Sequence, residues 1–181
     1  MSIKTAVVLG SGGHTGEMMK LLSGTDLNLY RPIDFIVAET DKMSVEKVKQ
    51  LEESTNQKLE YQINFIKRSR SVGQSYFTSV YTTIMAILYS IPLMFKLKPE
   101  LLIVNGPGTC IPCCLIVFIL SRALFFIPKC KIVYVESICR VKKLSLTGKI
   151  LYSLRIADSV VVQWPELKQK YPKSVYLGQL V

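Results

Sequence analysis

Hydrophobic positions along the chain alternate between short continuous apolar runs and longer segments in which they recur with helical spacing. The short runs are rich in valine and isoleucine and are apolar on successive residues, as strands covered on both faces of a parallel sheet are. We predict strands at Ile3–Leu9, Asp34–Ala38, Asn64–Ile66, Leu101–Val104, Lys131–Val135, Ser159–Gln163 and Ser174–Leu177.

The segments between these runs predict helices, and their regular alternation with strands predicts βαβ units. We see no internal repeat, low-complexity tract or linker in the chain. The sequence therefore predicts a single α/β domain over residues 1–181, built on a doubly wound, mostly parallel, Rossmann-like sheet. The helices are expected at Thr15–Leu22, Ser44–Glu53, Gln74–Phe95, Thr109–Phe126, Ser145–Leu154 and Pro165–Tyr171.

Two of the predicted helices are unusually apolar. The helix at 74–95 has an apolar stripe, and its opposite face is polar but uncharged, whereas a solvated face normally carries lysine or glutamate. The segment Cys110–Ile127 is apolar nearly all round, and Arg122 near its end would be costly at the centre of a bilayer. Core helices, a helix in the membrane interface and a true span all remain open. The stripe consists of Phe77, Val80, Tyr81, Ile84, Leu88 and Ile91.

The 181 residues carry a net charge of +10 and a mean hydropathy of +0.30. The charge is uneven: residues 1–60 contain 7 Lys/Arg and 9 Asp/Glu, and residues 61–181 contain 16 and 4. A basic surface on an apolar domain suits a phosphate-bearing partner, either a nucleic acid or an anionic membrane, although a generic basic surface would give the same numbers.

The five cysteines favour packing over chemistry. Cys110 and Cys113 have the spacing of a redox pair, but they lead directly into an apolar run, so burial is the favoured interpretation. An odd number of cysteines, together with no recognisable signal peptide, favours a reduced, cytosol-facing compartment. His14 is the only histidine, so we predict no metal site, and no cofactor is expected.

The loop after the first predicted strand is rich in glycine and opens a helix. Glycines let the backbone approach a ligand, and a helix N-terminus offers unpaired N–H groups to an anion. The spacing matches neither the Walker A motif nor the G-x-G-x-x-G fingerprint, so the loop alone is a weak signal. The candidate diphosphate ligands in this loop are Gly10, Ser11, Gly12, Gly13 and Thr15.

Later loops are expected at the same edge, because ligands of a parallel sheet bind outside the carboxyl ends of its strands. They bring a second glycine turn, a cationic cluster that includes Lys67, and a polar segment that begins at Glu136. Together these groups suit a diphosphate, although ordinary turn glycines and solvated cations are the alternative. The further candidate ligands are Arg68, Arg70, Asn105, Gly106, Gly108, Thr109, Ser137 and Arg140.

Three residues are candidates for the chemistry. His14 suits a general base or a phosphate donor, and it equally suits a hydrogen bond that caps the loop. Glu17 is a second candidate base, or a first-turn acid that complements the helix dipole. Glu136 ends a buried strand, where a carboxylate is costly unless it is paired or used.

Five stretches carry a resemblance to a known family over nearly the whole chain. The sequence resembles the acceptor-side subunit of the two-part N-acetylglucosaminyltransferase of the dolichol pathway, the fourteenth-named asparagine-linked glycosylation subunit. This resemblance implies the N-terminal half of a GT-B glycosyltransferase, similar to the bacterial lipid-linked muropeptide enzyme but split into two chains. The stretches are Gly10–Glu17, Asn105–Cys110, Tyr134–Arg140, Leu144–Leu151 and Gln163–Gly178.

The resemblance also implies a substrate, a partner and a location. The chain would bind N-acetylglucosaminyl-diphospho-dolichol on the cytosolic face of the endoplasmic reticulum membrane, and a separate subunit would bind UDP-N-acetylglucosamine. Together they would add the second sugar through a β-1,4 bond, and this chain alone is not expected to be active. Many members begin with a transmembrane anchor, whereas this sequence starts at the first strand. The C-terminal tail, residues 171–181, would bind the partner, with Tyr176, Leu177, Leu180 and Val181 as candidate contacts.

Three other classes of function were weighed against this one. A stand-alone nucleotide-sugar enzyme needs a second sheet domain, and the chain has the length of one domain. A nucleic-acid-binding module would use the same basic surface, but the Lys/Arg residues are not interleaved with aromatic residues in a recognition element, so we expect no nucleic-acid partner. A purely structural adaptor would make the residues at the ligand edge dispensable.

Overall fold

Seven parallel strands form one sheet in the computed structural model, which describes residues 2–55, 59–67, 76–106 and 108–181. The order across the sheet is β3-β2-β1-β4-β5-β6-β7, and every neighbouring pair is parallel. The predicted α/β class and parallel sheet are confirmed. The strands are β1 (Thr5–Val8), β2 (Ile33–Ala38), β3 (Tyr61–Ile66), β4 (Leu101–Asn105), β5 (Lys131–Val135), β6 (Ser159–Val162) and β7 (Val175–Tyr176).

Helices connect the strands on both faces of the sheet. α1 and α2 pack with one buried cluster, around Phe35 and Met18, and the helices after β3 pack with a second cluster on the other face, around Tyr134 and Met94. The helices are α1 (Gly13–Ser23), α2 (Lys42–Thr55), α3 (Tyr76–Leu97), α4 (Cys110–Phe118), α5 (Leu146–Ser153) and α6 (Pro165–Lys170).

Most predicted boundaries are within about two residues of the structure, and two elements differ more. β3 begins at Tyr61 rather than Asn64, because it is an edge strand whose first residues are only partly buried and break the apolar run. The helix expected at 109–126 ends as an α-helix at Phe118, continues as a π turn over Ile119–Ala123, and is followed by Phe125 with a φ of 53°.

Helix α4 is a core helix, and its cysteines are packing residues. Cys110, Cys113 and Cys114 are completely buried and unbonded to one another. Burial away from water raises the pKa of the Cys113 thiol to about 12, so the reactive thiolate is absent at neutral pH. The packing interpretation is therefore confirmed.

Helix α3 is buried along one face and exposed along another. Its buried positions include Ala86 and Ser90, and the Ser90 hydroxyl donates to the Ala86 carbonyl oxygen at 2.7 Å. Val80, Ile84 and Leu88, from the predicted apolar stripe, are more than half exposed. The core-helix interpretation holds for one face of α3: Met94 and Leu97 are buried in the core, and Ile91 packs against it. By length and composition its segment Val80–Leu97 is also apolar enough to cross a membrane.

Candidate functional site

The order in which successive strands join the sheet reverses at β1, which puts a topological switch point between the adjacent strands β1 and β4. β2 and β3 lie to one side of β1, and β4 to β7 follow on the other side. The connections at the carboxyl ends of such strands diverge and leave a crevice, which is where open α/β sheets bind ligands. The predicted glycine loop lies at this crevice, as do Asn105, Gly106 and Thr109 of the second glycine turn.

Two glycines of the loop differ in what they require: the backbone conformation favours glycine at Gly12, whereas Gly13 has room for a side chain. Gly12, the residue before α1, has φ 70° and ψ −125°, a conformation that residues with a side chain rarely adopt. Gly13 is the exposed first residue of α1, and a Cβ placed there meets no atom within 4 Å. The fold therefore tolerates a larger residue at Gly13, and only a ligand at the helix N-terminus would collide with it.

Thr15 fastens the glycine loop to α2. Its hydroxyl contacts the Gly10 carbonyl oxygen and lies 2.7 Å from Ser44 Oγ, which donates to Asp41 Oδ2 at 2.7 Å. Lys47 adds a contact from its Nζ to the Gly12 carbonyl oxygen, at 3.2 Å. Thr15 was predicted as a diphosphate ligand, and the structure places its hydroxyl in a buried position where it holds the loop.

The side chains of His14, Glu17 and Asn105 form one hydrogen-bonded group across the crevice. Asn105 Nδ2 donates to Glu17 Oε2 at 3.0 Å, and His14 Nδ1 lies 3.0 Å from Asn105 Oδ1 and 3.4 Å from Glu17 Oε2. Asn105 is buried, Glu17 is nearly so, and about a third of the His14 side chain is exposed. The histidine is thus the member of the group that a ligand can reach.

The bonding of this group determines the histidine tautomer. The Glu17 carboxylate can only accept, so Asn105 must turn its NH₂ towards Glu17 and its carbonyl oxygen towards His14. The His14 Nδ1 then carries the proton that it donates to Asn105. In the neutral ring the free lone pair is on Nε2, which is the nitrogen available as a base or acceptor.

Gly106 makes the approach of the histidine ring possible. Its φ is +93°, and a Cβ built at this position would lie 2.4 Å from His14 Cγ. The two glycine turns that the sequence predicted as separate anion sites are therefore in contact. The ring of His14 lies against the backbone of the second turn.

Glu17 also joins the loop that follows β5. Its Oε1 accepts from Ser137 Oγ at 2.7 Å and from the backbone N–H of Ile138 at 3.2 Å. Both carboxylate oxygens therefore accept hydrogen bonds from the protein. This use of Glu17 favours a positioning role over that of a free base.

Glu136 points away from the crevice, into the sheet–helix interior. It is 1% exposed, and its carboxylate accepts from Tyr134 OH at 3.1 Å, from the Ser137 N–H at 3.0 Å and from the Ser145 N–H at 2.8 Å. Burial and the adjacent Glu136 carboxylate raise the pKa of Tyr134, which keeps the phenol protonated as a donor. Ser145 is the residue before α5, so Glu136 ties the end of β5 to this helix.

Two residues after β6 were not predicted as site residues. Gln163 is completely buried; its Nε2 donates to the Glu136 carbonyl oxygen at 2.9 Å, and its Oε1 accepts from the Leu180 N–H at 3.0 Å. Trp164 Nε1 donates to the Ile138 carbonyl oxygen at 2.6 Å. Their place at the carboxyl end of β6 was the available signal, because every parallel strand ends at the same edge.

The remaining predicted ligands are distributed around this edge. Ser11, Gly108 and Thr109 border the crevice, and Arg140 is exposed at its rim. Arg68 and Arg70 lie outside the described residues. Lys67, just before them, follows β3, which lies two strands away from β1 in the sheet. The Lys67 Nζ is 3.5 Å from the centre of the Tyr89 ring on α3.

An apolar groove of about 280 Å³ extends from β1 over β4, β5 and β6 on the α1 side of the sheet. Tail residues Leu177 and Leu180 form part of its lining. Leu177 is 66% exposed, and Tyr176 beside it is 40% exposed. The strand residues in the lining include Ile103, Val133, Val135 and Val161.

A parallel sheet in this order, with a glycine turn at the switch point, is a doubly wound Rossmann-like fold, and its solved structural neighbours include GT-B glycosyltransferases. The whole chain superimposes on Acinetobacter baumannii MurG with a TM-score of 0.61 at 15% identity, and covers 45% of that chain. It superimposes on LpCGTa, solved with UDP, with a TM-score of 0.58 at 13% identity, and covers 53% of that chain. The chain thus spans about half of each of these proteins.

The sequence comparisons identify the family. The model of the family "Oligosaccharide biosynthesis protein Alg14 like" matches residues 5–180, and the chain belongs to this family. It is 48% identical to UDP-N-acetylglucosamine transferase subunit ALG14 of Rattus norvegicus, over 99% of this chain and 84% of the relative. The protein of the same name from Homo sapiens is 47% identical with the same coverage, and that of Yarrowia lipolytica is 42% identical over 98% and 81%.

Proposed function

We propose that this chain is the acceptor-binding subunit of a two-chain glycosyltransferase that adds N-acetylglucosamine to N-acetylglucosaminyl-diphospho-dolichol. A second subunit binds UDP-N-acetylglucosamine, and the pair forms the β-1,4 bond at the cytosolic face of the endoplasmic reticulum membrane. The observation that carries the proposal is the membership of the Alg14-like family, whose relatives are named as UDP-N-acetylglucosamine transferase subunits.

The size of the fold supports a divided enzyme. GT-B enzymes place donor and acceptor between two sheet domains, and this chain covers 45% of MurG. Its single sheet provides one side of such a cleft. The relatives are named as transferase subunits, which supports a donor side on a second polypeptide and no sugar transfer by this subunit alone.

The crevice between β1 and β4 supports binding of a diphosphate and activation of a hydroxyl. The N–H groups at Gly12 and Gly13 are at the positive end of the α1 dipole, which favours the acceptor diphosphate. His14 Nε2 is the free basic nitrogen and accepts the proton of the acceptor hydroxyl. That oxygen then attacks the anomeric carbon of the donor sugar with inversion, and UDP leaves.

Glu17 and Asn105 act as positioning residues for the base. They hold the Nδ1 proton of His14, and the nearby carboxylate stabilises the imidazolium that forms during transfer. Glu136, the third candidate from the sequence, holds the loop that carries Ser137 and Ile138. We assign it a positioning role through that loop.

The groove over β4 to β6 is the proposed contact for the donor subunit. Leu177 and Leu180 bring an exposed apolar edge to it, and Tyr176 and Val181 flank them. Its lining is almost entirely apolar, as the central part of a stable interface is. The C-terminal tail, residues 171–181, therefore remains the proposed partner-binding segment.

The substitution Gly13→Val tests the function. A side chain at Gly13 has room in the folded chain, so stability and donor-subunit binding are expected to stay unchanged while transfer to a GlcNAc-diphospho-lipid falls at least about a hundredfold. Gly24→Ala, at the other end of α1 with only ordinary contacts to its Cβ, is the control and is expected to keep full activity.

Two outcomes would refute the proposal. Normal transfer by the Gly13→Val complex would remove the loop from acceptor binding. Tight binding of UDP-N-acetylglucosamine by the purified lone chain in a calorimetric titration, with turnover, would make it a stand-alone enzyme. Loss of activity in Gly13→Val with the donor subunit still bound supports the division of labour described here.

A further inference from the structure

We propose that Lys47, a residue of α2, binds the diphosphate of the acceptor together with the glycine loop. The inference rests on the proposed function, because that function supplies the diphosphate as the ligand of the loop. Lys47 is not among the site residues predicted from the sequence, since residues 1–60 contain more acidic than basic residues and gave no sign of a cationic site.

The position of the Lys47 ammonium is the first argument. Helix α2 packs along α1, and Lys47 lies on the half-buried side of α2. Its Nζ donates to the Gly12 carbonyl oxygen at 3.2 Å, and it would lie 3.5 Å from a Cβ placed at Gly16. The ammonium is therefore beside the first turn of α1, next to the unpaired backbone N–H groups that the proposed function assigns to the diphosphate.

The charge of Lys47 has no acidic partner within salt-bridge distance in the part of the chain that the structure describes. Among those residues its ammonium makes one hydrogen bond, to the Gly12 carbonyl oxygen. Lys49, on the same helix, instead has its Nζ 3.5 Å from Glu46 Oε1. Because an ammonium group has three N–H donors, Lys47 keeps donors that a ligand at the loop can use.

The helix dipole of α1 makes this position unfavourable for a cation without a bound anion. The N-terminus of a helix is its positive end, so an ammonium beside the first turn is repelled. No acidic residue lies in the first turn of α1, and Gly12 before it provides no side-chain cap. A bound anion reverses the balance, because it is attracted by the dipole and by the ammonium together.

A buried hydrogen-bonded network fixes the start of α2, and with it Lys47, to the glycine loop. Asp41 accepts from the Ser44 N–H at 3.1 Å and from Ser44 Oγ at 2.7 Å. Ser44 Oγ is 2.7 Å from the Thr15 hydroxyl, which contacts the Gly10 carbonyl oxygen. The backbone of Lys47 is therefore held in place relative to the loop, and its flexible side chain can turn the ammonium to a ligand.

The role of Lys47 is binding of the acceptor rather than acceleration of the transfer step. The diphosphate of the acceptor is not the leaving group, so its charge is the same before and during the transfer. An ammonium that contacts it stabilises the bound acceptor and the transition state equally. Interactions of this kind lower KM and leave kcat unchanged.

The substitution Lys47→Met, in the complex with the donor subunit, tests the inference. At saturating UDP-N-acetylglucosamine we expect the KM for a GlcNAc-diphospho-lipid to rise at least about tenfold and kcat to stay within about twofold. Inorganic pyrophosphate, competing with the acceptor, should inhibit the variant at least about tenfold more weakly. Lys47→Arg keeps the charge and should restore a KM within about threefold of the wild type. Lys49→Met removes the same charge from the exposed side of α2 and is the matched control, with an unchanged KM.

The denaturation midpoint separates ligand binding from a role in the fold. Because Lys47→Met removes a cation from the positive end of α1, the midpoint without acceptor is expected to be no lower than that of the wild type. The inference is overturned if the KM of Lys47→Met is unchanged, or if its kcat and its midpoint fall together. An unchanged Lys47→Met beside an inactive Gly13→Val would refute the role of Lys47 alone. Normal transfer by both variants would instead remove the whole loop from acceptor binding.

Discussion

The ring of His14 takes its proposed chemical role from residues about ninety positions away in the sequence. Asn105 accepts from one ring nitrogen at 3.0 Å, and Gly106 leaves the space that the ring occupies. Glu17 holds Asn105 in the orientation that makes this possible. A single reversal of the Asn105 amide would place the ring proton on Nε2 and remove the free base.

The substitution Glu17→Gln tests this arrangement. Both oxygens of Glu17 accept hydrogen bonds from N–H groups. The NH₂ group of a glutamine would face one of these N–H donors, or the Asn105 amide would have to reverse. We expect the complex to lose about a hundredfold in kcat. The unpaired group should lower stability by about 1–3 kcal/mol.

The exposed Glu53→Gln is the control for this change, because it removes the same charge from α2 without a hydrogen-bonded partner network. It should leave kcat and the denaturation midpoint unchanged. A Glu17→Gln complex with wild-type kcat would show that the tautomer of His14 is not controlled by this group.

At the scale of elements, β6 links the tail to the loop that carries Ser137 and Ile138. Gln163 Oε1 accepts a hydrogen bond from the Leu180 N–H, and Gln163 Nε2 donates one to the Glu136 carbonyl oxygen. Trp164 holds the Ile138 carbonyl oxygen. The proposed partner-binding tail and the proposed acceptor site are therefore joined through two consecutive residues at the carboxyl end of one strand.

The substitution Gln163→Leu should weaken both the tail and the loop after β5, because Gln163 is hydrogen-bonded to each. The similar-sized apolar side chain leaves the Leu180 N–H and the Glu136 carbonyl oxygen without their partner, at a cost of about 1–3 kcal/mol in the free energy of unfolding. The affinity for the donor subunit should fall as well, because the tail is no longer held. Equilibrium denaturation and titration with the donor subunit measure the two effects.

The exposed Gln169→Leu is the matched control for Gln163→Leu, since it makes the same chemical change on the outside of α6. It should leave both quantities within error of the wild type. Unchanged partner affinity in Gln163→Leu, with the expected loss of stability, would confine Gln163 to a role in the fold alone.

On the scale of the whole molecule, the apolar groove and the exposed apolar side chains of α3 form two surfaces on opposite faces of the sheet. The groove opens on the face packed by α1, and α3 packs with the cluster on the other face. Under the proposed function, the donor subunit would bind on one side of the sheet and the membrane would lie on the other. Each contact is expected to work independently of the other, because no residue is shared between the two surfaces.

Paired substitutions should separate the two contacts. Leu177→Asp with Leu180→Asp should abolish binding of the donor subunit and leave flotation with lipid vesicles unchanged, because charge is placed only in the groove. Ile84→Gln with Leu88→Gln should do the reverse. Flotation and co-purification of each variant with the donor subunit measure the result, and loss of both contacts in either variant would contradict the separation.

Local sequence patterns predicted the sheet and the family well. Runs of valine and isoleucine such as Lys131–Val135 identified the strands. A strand of a parallel sheet that is covered on both faces is apolar at successive positions, so its sequence pattern is easy to recognise. The glycine-rich loop located the crevice, and Gly12 in it has the positive φ that favours glycine. The edge strand β3 was predicted too short because its partly buried residues give a weaker pattern.

Within this protein, the sequence by itself determined the parallel α/β fold and the family, because both depend on patterns within short stretches of chain. The tertiary structure alone decided that α3 exposes Val80, Ile84 and Leu88 of its apolar stripe. It also decided that Glu136 faces the interior and that Asn105 lies between His14 and Glu17. These features depend on which neighbour each face meets after folding. Helical periodicity reveals that two faces differ, and only packing decides which of them is buried.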